Sequence, residues 1–108
     1  MIYRYELLAP GHLGKRTRFI ERMVGGMTLD EFGNLYLSTV MDGAGVVIYN
    51  PEGELIGQIL VPQCTTNVAF TGPAGKTLII TTFESIYALD MQVQGFAQTH
   101  GYPVVHRR

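Results

Sequence analysis

Charge is scarce in this 108-residue chain: Asp, Glu, Lys and Arg together make up 16%, against about 25% in an ordinary globular domain. The eight basic and nine acidic side chains nearly cancel, to a net charge of -1. That balance excludes the basic footprint of a nucleic-acid-binding surface. It also supplies no attraction to an anionic membrane. Cysteine is nearly absent. The single Cys64 leaves no intrachain disulfide to form and fits a reducing compartment, hence a cytoplasmic reading. No apolar run approaches the ~18 residues of a spanning helix. The opening stretch carries Arg4 and Glu6 where a secretory leader would be apolar. Helical periodicity is missing too, and residues 28–33, the nearest approach to it, are too few.

Short strands between turns fill the chain instead. Apolar residues reach 46%, and 13 Gly and 5 Pro divide the sequence into stretches rich in Val, Ile, Tyr, Phe and Thr, the residues strands prefer. Strands are expected at residues 2–7, 16–22, 26–30, 35–40, 46–50, 55–61, 66–70, 78–82 and 86–90, with a weaker one at 92–98. The run Asp30-Glu31-Phe32-Gly33-Asn34 reads as one hairpin turn and Asn50-Pro51-Glu52-Gly53-Glu54 as another, with Pro set for a corner and Gly free to take positive φ. Residues 71–76 read the same way.

These strands recur. Gly33-Asn34-Leu35-Tyr36-Leu37-Ser38 returns, shifted by 42 to 43, at Gly75-Lys76-Thr77-Leu78-Ile79-Ile80-Thr81. Val46-Val47-Ile48-Tyr49-Asn50 returns at Ile86-Tyr87-Ala88-Leu89-Asp90 and is foreshadowed at Ile2-Tyr3-Arg4-Tyr5-Glu6. A four-stranded unit of about 40 to 45 residues is the signature of a β-propeller blade, in preference to an ordinary sandwich or barrel. The expected architecture is all-β, with blade units at about residues 2–22, 26–61 and 65–98 in a single partial propeller. Propellers close with about 4 to 8 blades. A chain of about two and a half blades is therefore incomplete alone: either it is cut from a longer protein, or it pairs with a complementing propeller chain or with copies of itself. Its roughly ten strands do not divide evenly into a six-bladed ring.

Three stretches carry a family resemblance. They are residues 33–38, then Gly45-Val46-Val47-Ile48-Tyr49-Asn50-Pro51-Glu52-Gly53-Glu54-Leu55-Ile56-Gly57, and Thr66-Asn67-Val68-Ala69-Phe70-Thr71-Gly72-Pro73 onward to Thr81. Together with Tyr3-Arg4-Tyr5 and the strand–turn–strand that follows, they resemble the senescence marker protein/gluconolactonase/luciferin-regenerating enzyme family. The likeness covers about residues 2 to 96 and matches the C-terminal portion of a member, about its last third. It implies a six-bladed propeller with a divalent metal, commonly calcium, at its central mouth, and hydrolysis of sugar-acid lactones or related esters. There the metal polarises the carbonyl and helps to activate water, and oxygen ligands suit so hard a cation. Of the family's ligands, a Glu and an Asn fall upstream of the matched portion. The third, an Asp in a Pro-Asp-Gly-Leu/Met motif, falls on Val24-Gly25-Gly26-Met27. Gly25 occupies the Asp position and has no side chain to ligate with. The implication is that no metal ligand and no catalytic residue of the family is retained here.

Other residues offer two readings each. Thr65, Thr66 and Asn67 sit, by the internal repeat, at the same loop-to-strand position as residues 25–27, which faces the mouth in a closed ring. They are candidate substrate-binding residues, or they satisfy backbone groups where the strand begins. Cys64 lies in the same loop without a His in a recognisable pairing, so a small buried hydrophobe is the expectation over a nucleophile. Asp30 and Glu31, and also Asp42, fall in turns and read as solvated turn residues rather than acid/base pairs. His12, His100 and His106 show no metal-type spacing, and the terminal His106-Arg107-Arg108 reads as a tail.

Two functions from different classes follow. The chain is a fragment of a gluconolactonase-like, metal-dependent lactone or ester hydrolase, inactive alone. Alternatively it is a self-assembling β-module, a homo-oligomer with a structural or small-ligand-binding role.

Overall fold

The computed structural model describes residues 1–40 and 45–96. Asp42, His100, His106 and the terminal arginines lie outside them. The described residues form nine strands: β1 Ile2–Ala9, β2 His12–Ile20, β3 Val24–Leu29, β4 Leu35–Thr39, β5 Val46–Tyr49, β6 Leu55–Ile59, β7 Thr65–Thr71, β8 Thr77–Thr82 and β9 Ile86–Asp90. They form three antiparallel sheets in chain order: β1-β2, β3-β4-β5-β6 and β7-β8-β9. The middle sheet is a complete four-stranded meander. The first supplies two strands and the third supplies three.

The sheets stack face to face, and the alternation of side chains along β4 and β5 shows why. Leu35, Leu37 and Val47 point one way, onto Ile2 and Ile20 of the hairpin. Tyr36 and Val46 point the other way, onto Val68, Phe70, Leu78 and Ile80 of the third sheet. All five residues of β4 are buried, as expected of a strand covered on both faces rather than one. Tyr36 meets Phe70 edge to face at 5.3 Å between ring centroids and 82° between planes, a favoured aromatic arrangement. Blade stacking, and not one enclosed barrel interior, therefore supplies the core.

The turns behave as their residues predict. The Asn50 carboxamide oxygen accepts the Glu52 and Glu54 amides, and Gly53 takes φ +85°. Asp30 does the same for Phe32 and Asn34, while its second oxygen accepts from the Asn34 amide group and the Tyr36 hydroxyl. Asp30 is 1% exposed, so the expectation of a solvated turn carboxylate is corrected. Four donors converge on it, which is what permits a carboxylate to be buried.

The weaker strand expected over residues 92–98 is not formed in the part described, residues 92–96. After β9 the chain instead bonds to two turns, and Gly95 makes a single antiparallel bridge with Asp30. The Met91 amide donates to Lys76, the Gly95 amide to Gly75, and the Glu31 amide to Gln94. The Glu31 carboxylate returns a bond to the Gln94 amide at 2.7 Å. The segment straps the β3–β4 turn to the β7–β8 turn.

Candidate functional site

The inner strands β3 and β7 start at the same end of the stack, and both are irregular there. In β3 the register slips between Val24, opposite Thr39, and Met27, opposite Leu37. In β7 it slips between Thr65, opposite Thr82, and Asn67, opposite Thr81, and Val68 pairs with Ile80. Val24 and Thr65 thus stand at the starts of β3 and β7, each opposite a threonine at the far end of the neighbouring strand. Such bulges re-aim side chains at strand ends.

The first residues of β3 and β7 touch. A Cβ on Gly25 would lie 2.5 Å from the Thr66 carbonyl oxygen and 3.0 Å from the Ser38 hydroxyl. A Cβ on Gly26 would lie 1.9 Å from the Asn67 side-chain oxygen. The glycine pair is thus a notch into which the β7 backbone and the Asn67 carboxamide fit. Ser38, fully buried, closes the notch from behind. Its hydroxyl accepts from the Gly26 amide at 2.7 Å and donates to the Gly26 carbonyl at 3.2 Å. Sequence reasoning missed Ser38, because only the bulge in β3 turns that backbone toward it.

Each hydroxyl at this end has a local partner. Thr65, wholly buried, lies 2.7 Å from the Thr39 carbonyl and 3.0 Å from that of Gly45, where the Thr39 hydroxyl also donates at 2.8 Å. Thr66 faces Thr81, hydroxyl to hydroxyl at 2.8 Å. The Asn67 carboxamide oxygen accepts the Val68 amide at 2.8 Å, and its side chain is exposed. Of the three candidate residues, Asn67 alone presents a polar group outward. Gln63, also missed, accepts from the Thr82 hydroxyl at 3.0 Å and the Tyr87 hydroxyl at 3.3 Å. A repeated Thr at the ends of β4 and β8, Thr39 and Thr82, was the available signal.

Beside this network lies an open cleft of about 250 Å³ lined by Pro62, Gln63, Cys64, Phe83 and Glu84. Cys64 is half-buried, and its thiol points to the Val40 carbonyl rather than to a base. His12 lies away from it in sequence and structure, at the start of β2 beside the hairpin turn. Tyr36 is the group here with a displaced titration. Burial, then the Asp30 charge and hydrogen bond, raise its phenol well above the ordinary tyrosine range.

The described residues do not fit the divalent cation of the resembled family. They bring together no group of three or more His, Cys, Asp or Glu that could hold a metal. At the Asp position, Gly25 leaves no room beyond its own hydrogen unless β7 moves. The polar groups at this end are hydroxyls and amides bonded within the chain, and they supply no carboxylate for a hard cation.

The stacked, strand-by-strand meanders are blades of a β-propeller. Residues 1–84 match the model of the SMP-30/gluconolactonase/LRE-like region, and the chain belongs to that family. It is 35% identical over 88 residues to the pentonolactonase XacC of Haloferax volcanii, covering 75% of this chain and 30% of that protein. A crystal structure of a gluconolactonase candidate superposes with a TM-score of 0.73 at 31% identity, over 86% of this chain and 32% of that one. The chain thus spans about a third of the length of these relatives.

Proposed function

We propose that this chain supplies blades to a lactone-hydrolysing propeller that acts on sugar-acid lactones or related esters with the help of a divalent cation, calcium in the first instance. The carrying observation is the family match over residues 1–84, supported by the likeness to a pentonolactonase. On this reading the ring is six-bladed and the cation is held by residues outside this chain. The chain contributes the wall of the mouth around Thr65, Thr66 and Asn67. By itself it is inactive, because Gly25 stands at the ligand position. It works in the cytoplasm, without nucleic-acid or membrane partners, and no helix among the described residues is long and apolar enough to cross a membrane.

The test is a lactonase assay of the purified 108-residue chain on aldonolactones, with and without added calcium. No turnover above the spontaneous rate is expected. Robust, metal-dependent turnover would overturn the inactivity.

A second reading is a self-assembling β-module with a structural or small-ligand-binding role, motivated by the large apolar side chains exposed among the described residues, Phe83 and Leu60 among them. Solution mass decides for or against it.

A further inference from the structure

Two internal segments build the open cleft: the β6–β7 connection with Pro62, Gln63 and Cys64, and the β8–β9 turn with Phe83 and Glu84. Thr82 ties that turn. Its hydroxyl oxygen accepts the Glu84 amide at 3.2 Å and the Ser85 amide at 2.8 Å, while the Thr82 amide donates to the Ser85 carbonyl at 2.9 Å. Phe83 and Glu84 are thereby held at the turn tip, and Phe83 is 82% exposed.

The same hydroxyl fixes Gln63. A threonine hydroxyl has two lone pairs and one hydrogen. The turn takes both lone pairs of Thr82, so toward Gln63 it can only donate, and Gln63 must present its oxygen, at 3.0 Å. The Tyr87 hydroxyl donates to that oxygen as well, at 3.3 Å. The network therefore assigns the orientation of the amide and leaves its two N–H donors uncommitted among the described residues. Cys64 adds no donor, because its thiol is turned to the Val40 carbonyl.

Three kinds of group thus line one cleft of about 250 Å³: the N–H donors of Gln63, the carboxylate of Glu84 and the ring of Phe83. An ammonium ligand would suit Phe83 and Glu84 but would meet the Gln63 donors. An anion would suit Gln63 but would meet the Glu84 charge. A hydroxylated ring satisfies all three, because each hydroxyl both donates and accepts and the C–H face of the ring is apolar. The volume falls below the roughly 300–1,000 Å³ of pockets for drug-sized ligands, which suits a single ring.

We propose that this cleft binds one neutral polyhydroxylated ring, a monosaccharide or cyclic polyol, with Phe83 against its C–H face, Gln63 donating to it and Glu84 accepting from it. Glu84 makes the site selective for a neutral ring over an open-chain sugar acid. The site lies outside Thr65, Thr66 and Asn67 and needs neither turnover nor a cation, so it stands or falls apart from the lactonase reading.

The experiment is an NMR titration of the isotope-labelled full chain with methyl glucopyranoside, sodium gluconate and choline chloride in turn. Amide dispersion in the free chain and in each variant reports the fold. The glucoside should give saturable shifts at the Gln63 side-chain NH2 and at the Phe83 and Glu84 amides. Gluconate should bind about threefold or more weakly at low salt, as like charges at a solvated site require, and the difference should shrink at high salt. Phe83→Ala should weaken glucoside binding roughly tenfold, the scale of an aromatic contact. Glu84→Gln should bring gluconate level with the glucoside. The proposal is overturned by the absence of saturable shifts at these residues, by tighter binding of choline or gluconate than of the glucoside, or by a glucoside affinity that Phe83→Ala does not change. Shifts confined to Thr65, Thr66 and Asn67 overturn it too, while leaving the lactonase reading intact.

Discussion

Side chains that a sequence would place in contact with solvent or ligand are here occupied with one another. Thr65 is the clearest case. Its hydroxyl is sealed between two carbonyls, one from the end of β4 and one from Gly45. Thr65→Val keeps the shape but leaves those acceptors one donor short, and should cost about 1–3 kcal/mol in denaturant unfolding. Gly25→Asp tests the notch. The new side chain meets the Thr66 backbone, which cannot rotate away as a side-chain tip can. The variant should lose about 1–3 kcal/mol, the range for overpacked sites, and calcium should not raise its melting temperature. A calcium-dependent rise would show that β7 gives way and that the ligand position is recoverable.

Tyr36 supplies a pH prediction with a definite sign. Its phenol is raised above the ordinary value of 10.0, so the folded state holds the proton after the unfolded chain has released it. The neutral hydroxyl's contribution is complete below pH 10 and declines above it. Stability should fall by at most about 1.4 kcal/mol per pH unit there on account of this group. Tyr36→Phe should be less stable near neutrality by about 1 kcal/mol, the worth of a hydrogen bond. The two unfolding curves should then converge as the pH rises beyond 10. Parallel curves would show that the hydroxyl–carboxylate bond does not govern the titration.

Among the elements, the strap of residues 91–96 decides how two blades meet. Glu31 and Gln94 exchange bonds across it, while the Gln94 side chain reaches the Ala74 carbonyl at 2.9 Å. Glu31→Ala removes the carboxylate's share and should lower stability by about 0.5–1.5 kcal/mol. Hydrogen exchange should quicken in the β3–β4 turn before the centre of β4. Ile80→Ala acts differently. Ile80 is wholly buried against Val68, Phe70 and Tyr36, and its truncation should cost about 2–5 kcal/mol with loss of the blade-to-blade contact. The strands themselves were largely legible, because alternation and turn residues are local signals. The strap was not. Residues 92–96 carry apolar positions that suit a fourth strand, and only the backbone acceptors of distant turns draw them elsewhere.

For the whole molecule, several large apolar side chains remain exposed among the described residues, Phe83 and Leu60 among them. The candidate site was legible only in part. The repeat located the start of the inner strands, and the family resemblance put Gly25, which has no side chain, at the Asp position. That β3 and β7 converge, that Ser38 backs the glycine notch and that Gln63 bridges two hydroxyls all depend on contacts far apart in sequence.

Residue order was enough to dictate the all-β class, the blade period and the turn chemistry of residues 30–34 and 50–54. These follow from local periodicity and from Gly and Asx conformational preferences, neither of which needs a partner surface. Packing between distant segments dictated the rest: that Asp30 is buried under four donors, that Thr65 and Thr66 are consumed by structural bonds, and that the chain after β9 binds the β3–β4 and β7–β8 turns. The physical reason is common to all three. A polar group's role is set by which donors and acceptors reach it, and here those arrive from neighbouring turns or from another blade.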